Sequence, residues 1–238
     1  MGLLDRFRRR PAPPVHTVWA TAAARDHAVF ERLRELRTDS RPVVLLTHFA
    51  ATAAAWCEAL READDVYRLA ESPEDVAAGG LTVMHSELLT GNPAGRAPAH
   101  GFTPAAVLVA EAHCLPGPPA AVDAWAAAVG WPAPRHHVAL DGPLLTQFFA
   151  PGRRGVFDAL GVTEATPTSA RMLDRSIRRA QEKIAALVTA PRDAESQADW
   201  LRLNLPAPAE RRADPETKAA DDPDGSVGAS VRDFEAMR

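Results

Sequence analysis

Two uninterrupted apolar runs, Pro42-Val43-Val44-Leu45-Leu46-Thr47 and Ala106-Val107-Leu108-Val109-Ala110, constrain this chain more than any other feature. A strand with one face in water alternates apolar and polar residues, whereas a run that is apolar at every position suits a strand covered on both faces. Around these runs lie stretches of helical period: Val29, Phe30, Leu33 and Leu36 before Pro42, the alanine-rich segment Ala50 to Ala63 carrying Trp56 and Leu60, and Pro119 to Val129. Shorter strands are expected at Val66-Tyr67-Arg68-Leu69, Leu81-Thr82-Val83-Met84 and His136 to Leu140, with a brief helix near Pro73 to Ala78. This alternation implies an α/β fold, a three-layer sandwich whose mostly parallel sheet is joined by crossover helices.

The chain of 238 residues is expected to hold one core with extensions. A basic, proline-rich leader is read over residues 1–22, the core over 23–190, a short amphipathic segment over 191–206 and a disordered tail over 207–238. The tail alternates Pro, Ala, Asp, Glu and Arg, with too few apolar side chains to offset the ordering entropy of about 1–2 kcal/mol per residue. A net charge of −4 gives no general attraction to nucleic acid or anionic lipid. Cys57 and Cys114 are the only cysteines and are read as reduced thiols of a cytoplasmic protein. No run approaches the ~20 apolar residues that a membrane-spanning helix needs. In the leader, Leu3, Leu4 and Phe7 allow weak membrane-surface contact, while Arg6 stands where a myristoylation motif has Ser or Thr.

The end of the core carries a longer pattern. Val138-Ala139-Leu140-Asp141 is followed by Phe148-Phe149-Ala150, Leu160-Gly161-Val162 and Arg175-Ser176-Ile177-Arg178-Arg179-Ala180-Gln181-Glu182-Lys183-Ile184. This run resembles the exit from the second motor domain of SecA, the preprotein translocase ATPase. That family reads Leu-Ser-Leu-Glu-Asp, Phe-Ala, Leu-Gly-Met and then Arg-x-Ile-x-x-Ala-Gln-x-Lys-Val, with one residue more near Arg154. Its Pro-Val-Leu-Val-Gly-Thr strand resembles Pro42 to Thr47, and its Val-Ile-Gly-Thr-Glu-Arg-His strand resembles Val107 to His113. A Gly-x-Pro precedes the last strand, here Gly130-Trp131-Pro132. The resemblance runs from the opening helix to about Val188. It implies a RecA-like, P-loop NTPase-type second motor domain with a C-terminal helical extension.

The same resemblance implies lost catalysis. The family's Asn-Met-Ala-Gly-Arg-Gly-Thr-Asp loop is matched by Met84-His85-Ser86-Glu87-Leu88-Leu89-Thr90-Gly91, and the arginines of its Gln-Leu-Arg-Gly-Arg-Ser-Gly-Arg helix fall near Asp123, Trp125 and Ala128. A guanidinium that stabilises transition-state charge contributes ~10³–10⁵ in rate, and neither Asp nor Ala replaces it. No Gly-x-x-x-x-Gly-Lys-Ser/Thr occurs, and the glycines between Gly91 and Gly101 lack the strand-turn-helix context of a phosphate loop. Val107 to His113 also resembles the Asp-Glu-Ala-His box of helicase first domains, with Ala110 in place of the metal-coordinating Asp. No catalytic, cofactor-binding or metal-binding residue is therefore assigned, and no cofactor is expected. The expectation is a non-catalytic accessory or regulatory protein, a pseudo-ATPase with a protein partner, for which the resemblance suggests protein export and translocase components.

A different class of function has its own candidate residues. His48, His85, Glu87, Glu111, His113 and Cys114 fall at the carboxyl ends of the expected strands, the edge where open α/β sheets bind ligands. Imidazoles and carboxylates there are the donors of a metal-dependent hydrolase, although their spacing matches no zinc motif. A residual nucleotide-binding domain is the other alternative. Across Ser169 to Leu187, Leu173, Ile177, Ala180, Ile184 and Leu187 form an apolar stripe, with Arg171, Arg175, Arg178, Arg179 and Lys183 on the other sides. That basic side is either solvated or a docking face for an acidic partner. The five tryptophans, Trp19, Trp56, Trp125, Trp131 and Trp200, are too scattered for a base-stacking platform and are read as core or cover residues.

Overall fold

The computed structural model describes residues 15–38, 41–76, 79–89, 104–148, 161, 163, 165–169 and 171–206. The glycine-rich loop, most of the segment from Phe149 to Val162 and the tail from Ala207 lie outside the described residues, as does the leader up to residue 14. In chain order the elements are β1 (His16–Trp19), α1 (Ala22–Thr38), β2 (Val43–Thr47), α2 (Ala50–Glu62), β3 (Tyr67–Leu69), β4 (Leu81–His85), β5 (Ala106–Val109), α3 (Gly117–Ala128), β6 (Arg135–Ala139), α4 (Pro143–Phe148), α5 (Arg171–Leu187) and α6 (Gln197–Asn204). The brief helix expected near Pro73 is a 3-10 turn, Pro73–Asp75, and a second such turn, Ser86–Leu89, follows β4.

Among the described residues, six strands form one sheet in the order β1-β6-β5-β2-β4-β3, and every pairing between them is parallel. The two apolar runs are neighbours at its centre, with Val44 opposite Val107 and Leu45 opposite Leu108. Alternation then sends successive residues to opposite faces. Val43 and Leu45 pack with Val29, Leu33 and Leu36 of α1 and Trp56 and Leu60 of α2. Val44 and Leu46 pack with Val122, Trp125 and Ala126 of α3. A third cluster joins Val18 and Val138 to Leu173, Ile177 and Ile184 of α5 and to Trp200 and Leu201 of α6. Helices thus cover both faces, as uninterrupted apolar strands require.

Helix α3 ends in a turn that only a left-handed residue completes. Gly130 has φ of +74°, its N–H donates to Ala127 O, and Trp131 N–H donates to Ala126 O. This termination, favoured by glycine's freedom at positive φ, swings Trp131 back onto Trp125 at 4.9 Å between ring centroids.

Two findings correct the sequence reading. His16–Trp19 was assigned to the leader, but it is the edge strand β1. Its outward amides are covered, because His16 N–H donates to Asp174 Oδ1 and Val18 N–H to Thr168 O, so the edge is closed to further strand pairing. On α5 the buried stripe is Leu173, Ile177, Ala180, Gln181 and Ile184, whereas Leu187 is 52% exposed. Gln181 is buried because its side-chain amide donates to His113 O at 2.9 Å.

The two sides of α5 should respond oppositely to mutation. Ile177→Asp places a carboxylate in the third cluster and is expected to unfold or aggregate the protein, since an unpaired buried charge costs as much as a domain's whole margin of about 5–15 kcal/mol. Replacing the exposed Arg171, Arg175, Arg179 and Lys183 by Ala should leave the urea-unfolding midpoint nearly unchanged. Unfolding of that variant at the lowest urea concentrations would show that α5 is held by its charges rather than by its stripe.

Candidate binding cleft at the carboxyl edge of the sheet

The strand order fixes where a ligand could enter. From β2 the chain passes through α2 to β3 and β4 on one side, and from β5 it passes through α3 to β6 on the other. Neighbouring strands whose connections diverge leave a crevice at their carboxyl ends, the position at which open α/β sheets hold ligands. A cleft of about 860 Å³ occupies this edge. Its lining draws on His48, Phe49 and Ala50 after β2, His85, Ser86 and Glu87 after β4, His113 and Leu115 after β5, and the segment from Pro191 to Leu203 around α6.

Glu111, just after β5, lies at this edge as its strand-end position implies. It is only 6% exposed, and both carboxylate oxygens are engaged. Oε1 accepts from the backbone N–H groups of His48 and Phe49, each at 3.1 Å, and Oε2 accepts from Thr52 Oγ1 at 2.8 Å. His48 and Phe49 immediately precede α2, with Phe49 as its N-cap, and Thr52 lies in its first turn, beside the positive end of the helix dipole. A further first-turn amide, Ala51 N–H, donates to Glu195 O in the segment leading into α6. Burial pushes the Glu111 carboxyl up to about 7, against the opposing pull of Thr52, His48, Arg25 and Phe49.

The histidines are brought together but not into a metal cage. The ring of His113 stacks on Phe49 at 5.4 Å and meets the edges of His48 at 5.4 Å and Trp200 at 5.8 Å. Its Nδ1 accepts from Leu115 N–H at 2.9 Å, which leaves the proton of the neutral ring on Nε2. Burial holds the His113 pKa down at about 4 and that of His48 well below its ordinary value. His48 Nδ1 lies 2.8 Å from Ser86 Oγ, while its Nε2 and that of His85 are buried without a hydrogen-bond partner. His85 Nδ1 lies 3.5 Å from a Glu87 carboxylate oxygen. Cys114 is buried beneath α6 with its thiol pKa pushed up by burial and then by Glu111, so it is no nucleophile at neutral pH. Among the described residues, no three of His, Cys, Asp or Glu are grouped so as to hold a metal ion.

The positions matched to the family's arginines sit elsewhere. Trp125 is fully buried, and Asp123 Oδ1 lies 2.9 Å from His136 Nε2 beneath α3. Beside that pair, His16 Nδ1 lies 3.1 Å from Asp174 Oδ1, with the two imidazole rings 5.7 Å apart. Both pairs tie strands to helices within the core. Sequence reading did not single out Ser86, Phe49 or the carboxylates around α6 as parts of the edge. The adjacency of Ser86 to His85 and of Phe49 to His48 was the available signal, whereas the approach of α6 is a long-range contact. No protein-family model matches the chain, and no curated protein matches its sequence.

Two opposed pH effects follow. A carboxyl held near 7 in the fold binds a proton that the unfolded chain has released, so the stability contributed by Glu111 falls as pH rises from about 4.5 to about 7. Glu111→Gln, which keeps an acceptor for the α2 amides, should remove that slope, by at most about 3 kcal/mol across the window. Glu111→Ala should cost about 1–3 kcal/mol throughout by stranding buried amides. His113 acts in the other direction, because its stability contribution is lost as pH falls from 6.5 through about 4. His113→Asn, with an acceptor at the Nδ1 position, should flatten the acid limb of a urea-unfolding series. An unchanged acid limb would show that the ring is not held neutral.

Proposed function

We propose that the chain is a SecA-like motor domain that has lost nucleotide chemistry and serves as an accessory or regulatory interaction protein, with protein export as its setting. The observation that carries this reading is the Glu111 carboxylate at the start of α2. A helix N-terminus behind a central parallel strand is the usual seat of a phosphate, because its free amides and dipole favour an anion. Here an internal carboxylate accepts from the His48 and Phe49 amides, and Glu195 O accepts from Ala51 N–H. The charge of the cleft supports the same reading. Among its described lining residues, Glu87, Asp193, Glu195 and Asp199 face a single guanidinium, Arg202, which is itself 3.0 Å from Asp199. Such a lining repels a triphosphate.

Calorimetric titration of the full chain with magnesium-ATP and with ADP is expected to give no saturable heat. Turnover is expected to stay well below the ~1 s⁻¹ of a slow ordinary enzyme. Saturable nucleotide binding, or hydrolysis abolished by a substitution at Glu111, would overturn the loss of nucleotide chemistry. The interaction role is tested by titrating the labelled chain with purified SecA-family ATPase and with the translocation channel in vesicles. Saturable binding to either is expected, and binding to neither would remove protein export from the reading.

A further inference from the structure

The helices of this protein handle their positive charges in two ways. All four arginines of α1 pair with carboxylates, as do Arg61 of α2 and Arg202 of α6. On α5 this pairing stops. Arg171, Arg175, Arg179 and Lys183 are all exposed, and none of them forms an ion pair among the described residues. Asp174 of the same helix is taken up by His16, through its backbone N–H and its ring. The four cations stand four residues apart, so they form one row about 18 Å long on the side opposite the buried stripe of Leu173, Ile177 and Ile184. Like charges at this spacing repel and weaken a helix. Half-buried Arg178 adds a fifth positive charge to that side, and exposed Glu182 is the one carboxylate among them. A second feature is independent of charge. Two of the five large apolar side chains that are exposed among the described residues, Met172 at 44% and Leu187 at 52%, lie on α5, one at each end of the row.

We propose that the outer face of α5 docks an acidic helical segment of a partner protein, whose carboxylates pair with Arg171, Arg175, Arg179 and Lys183 while its apolar side chains cover Met172 and Leu187. A helix with Asp or Glu at every fourth residue presents carboxylates at the same ~6 Å step as the row. Guanidinium groups take such carboxylates through two parallel N–H···O bonds, and neutralising the row removes its self-repulsion. Simple solvation of this side leaves the contrast with α1, α2 and α6 unexplained. A polynucleotide finds no ring to stack on, since α5 carries no aromatic residue, and makes no use of Met172 and Leu187. An anionic membrane meets a chain whose net charge is −4. This inference rests on the reading of the chain as an interaction protein, to which it adds a surface and the chemistry of the partner.

The test is fluorescence anisotropy of the full chain with a labelled helical peptide that carries glutamate at every fourth position among alanine and leucine. The same peptide with glutamine at those positions, a single-stranded DNA and vesicles containing phosphatidylserine are the comparisons. Saturable binding of the glutamate peptide, about tenfold tighter than the glutamine peptide and weakening with salt, is expected. The triple variant Arg175→Gln, Arg179→Gln, Lys183→Gln alters only exposed side chains, so it should keep its urea-unfolding midpoint while losing about tenfold in affinity and most of the salt dependence. Glu182→Gln, which removes the opposing charge, should tighten binding, and Met172→Gln with Leu187→Gln should weaken it without changing its salt slope. Arg61→Gln, on α2, should leave it unchanged. Absence of binding, equal affinity for the two peptides, an unaltered affinity in the triple variant, or tighter binding of the DNA or the vesicles than of the glutamate peptide would each overturn the proposal. If the glutamate peptide fails while translocase components still bind, the α5 surface is wrong and the interaction role stands. If it binds while neither translocase component does, the surface stands and protein export is wrong.

Discussion

The Glu111 carboxylate at the mouth of α2 is the contact on which the carboxyl edge of this protein depends. It joins the exit of β5 to the entrance of the helix that follows β2, across the crevice where the connections of these two strands diverge. A helix start in that position needs an anion or water to satisfy its amides. By accepting from these groups the Glu111 carboxyl fixes the register between the exit of β5 and the start of α2. Thr52 holds the second oxygen, and Glu195 O brings the segment before α6 against the same turn. The cleft beside it is bounded by the segment around α6.

The order of strands and helices was legible because it rests on local patterns. Pro42 to Thr47 and Ala106 to Ala110 read as strands covered on both faces, and both are central in the sheet. The helical stretches carry their own periodicity and stops, as Gly130 and the turn at Asp64, with φ of +52°, illustrate. Strand β1 was not legible. Four residues, His-Thr-Val-Trp after a run of prolines, carry no period, and their place is set by partners far along the chain such as Asp174. Gln181 was not legible for a similar reason, since its burial goes with a bond to the carbonyl of His113, far away in the chain.

The edge itself was half legible. Strand-end positions could be counted, so His48, His85, Glu111 and His113 were recognised as neighbours in space. What each does could not be counted, because it depends on whether a side chain faces the cleft or a backbone amide. Glu111 faces amides, and His113 is wedged between Phe49, His48 and Trp200. The carboxylates of the rim come from a segment whose approach no local pattern announces. The result is a cleft with carboxylates among its lining residues, beside a buried carboxyl group.

The most direct test of the Glu111 clasp is a carboxyl-carbon NMR titration of Glu111, followed together with the amide signals of His48 and Phe49. Our account requires the Glu111 resonance to titrate at about 7, with both amides moving at the same midpoint because they share its Oε1. A Glu111 carboxyl that titrates in the ordinary range near 4.5 while the two amides stay still would mean that the carboxylate is solvated and the start of α2 is free for another anion.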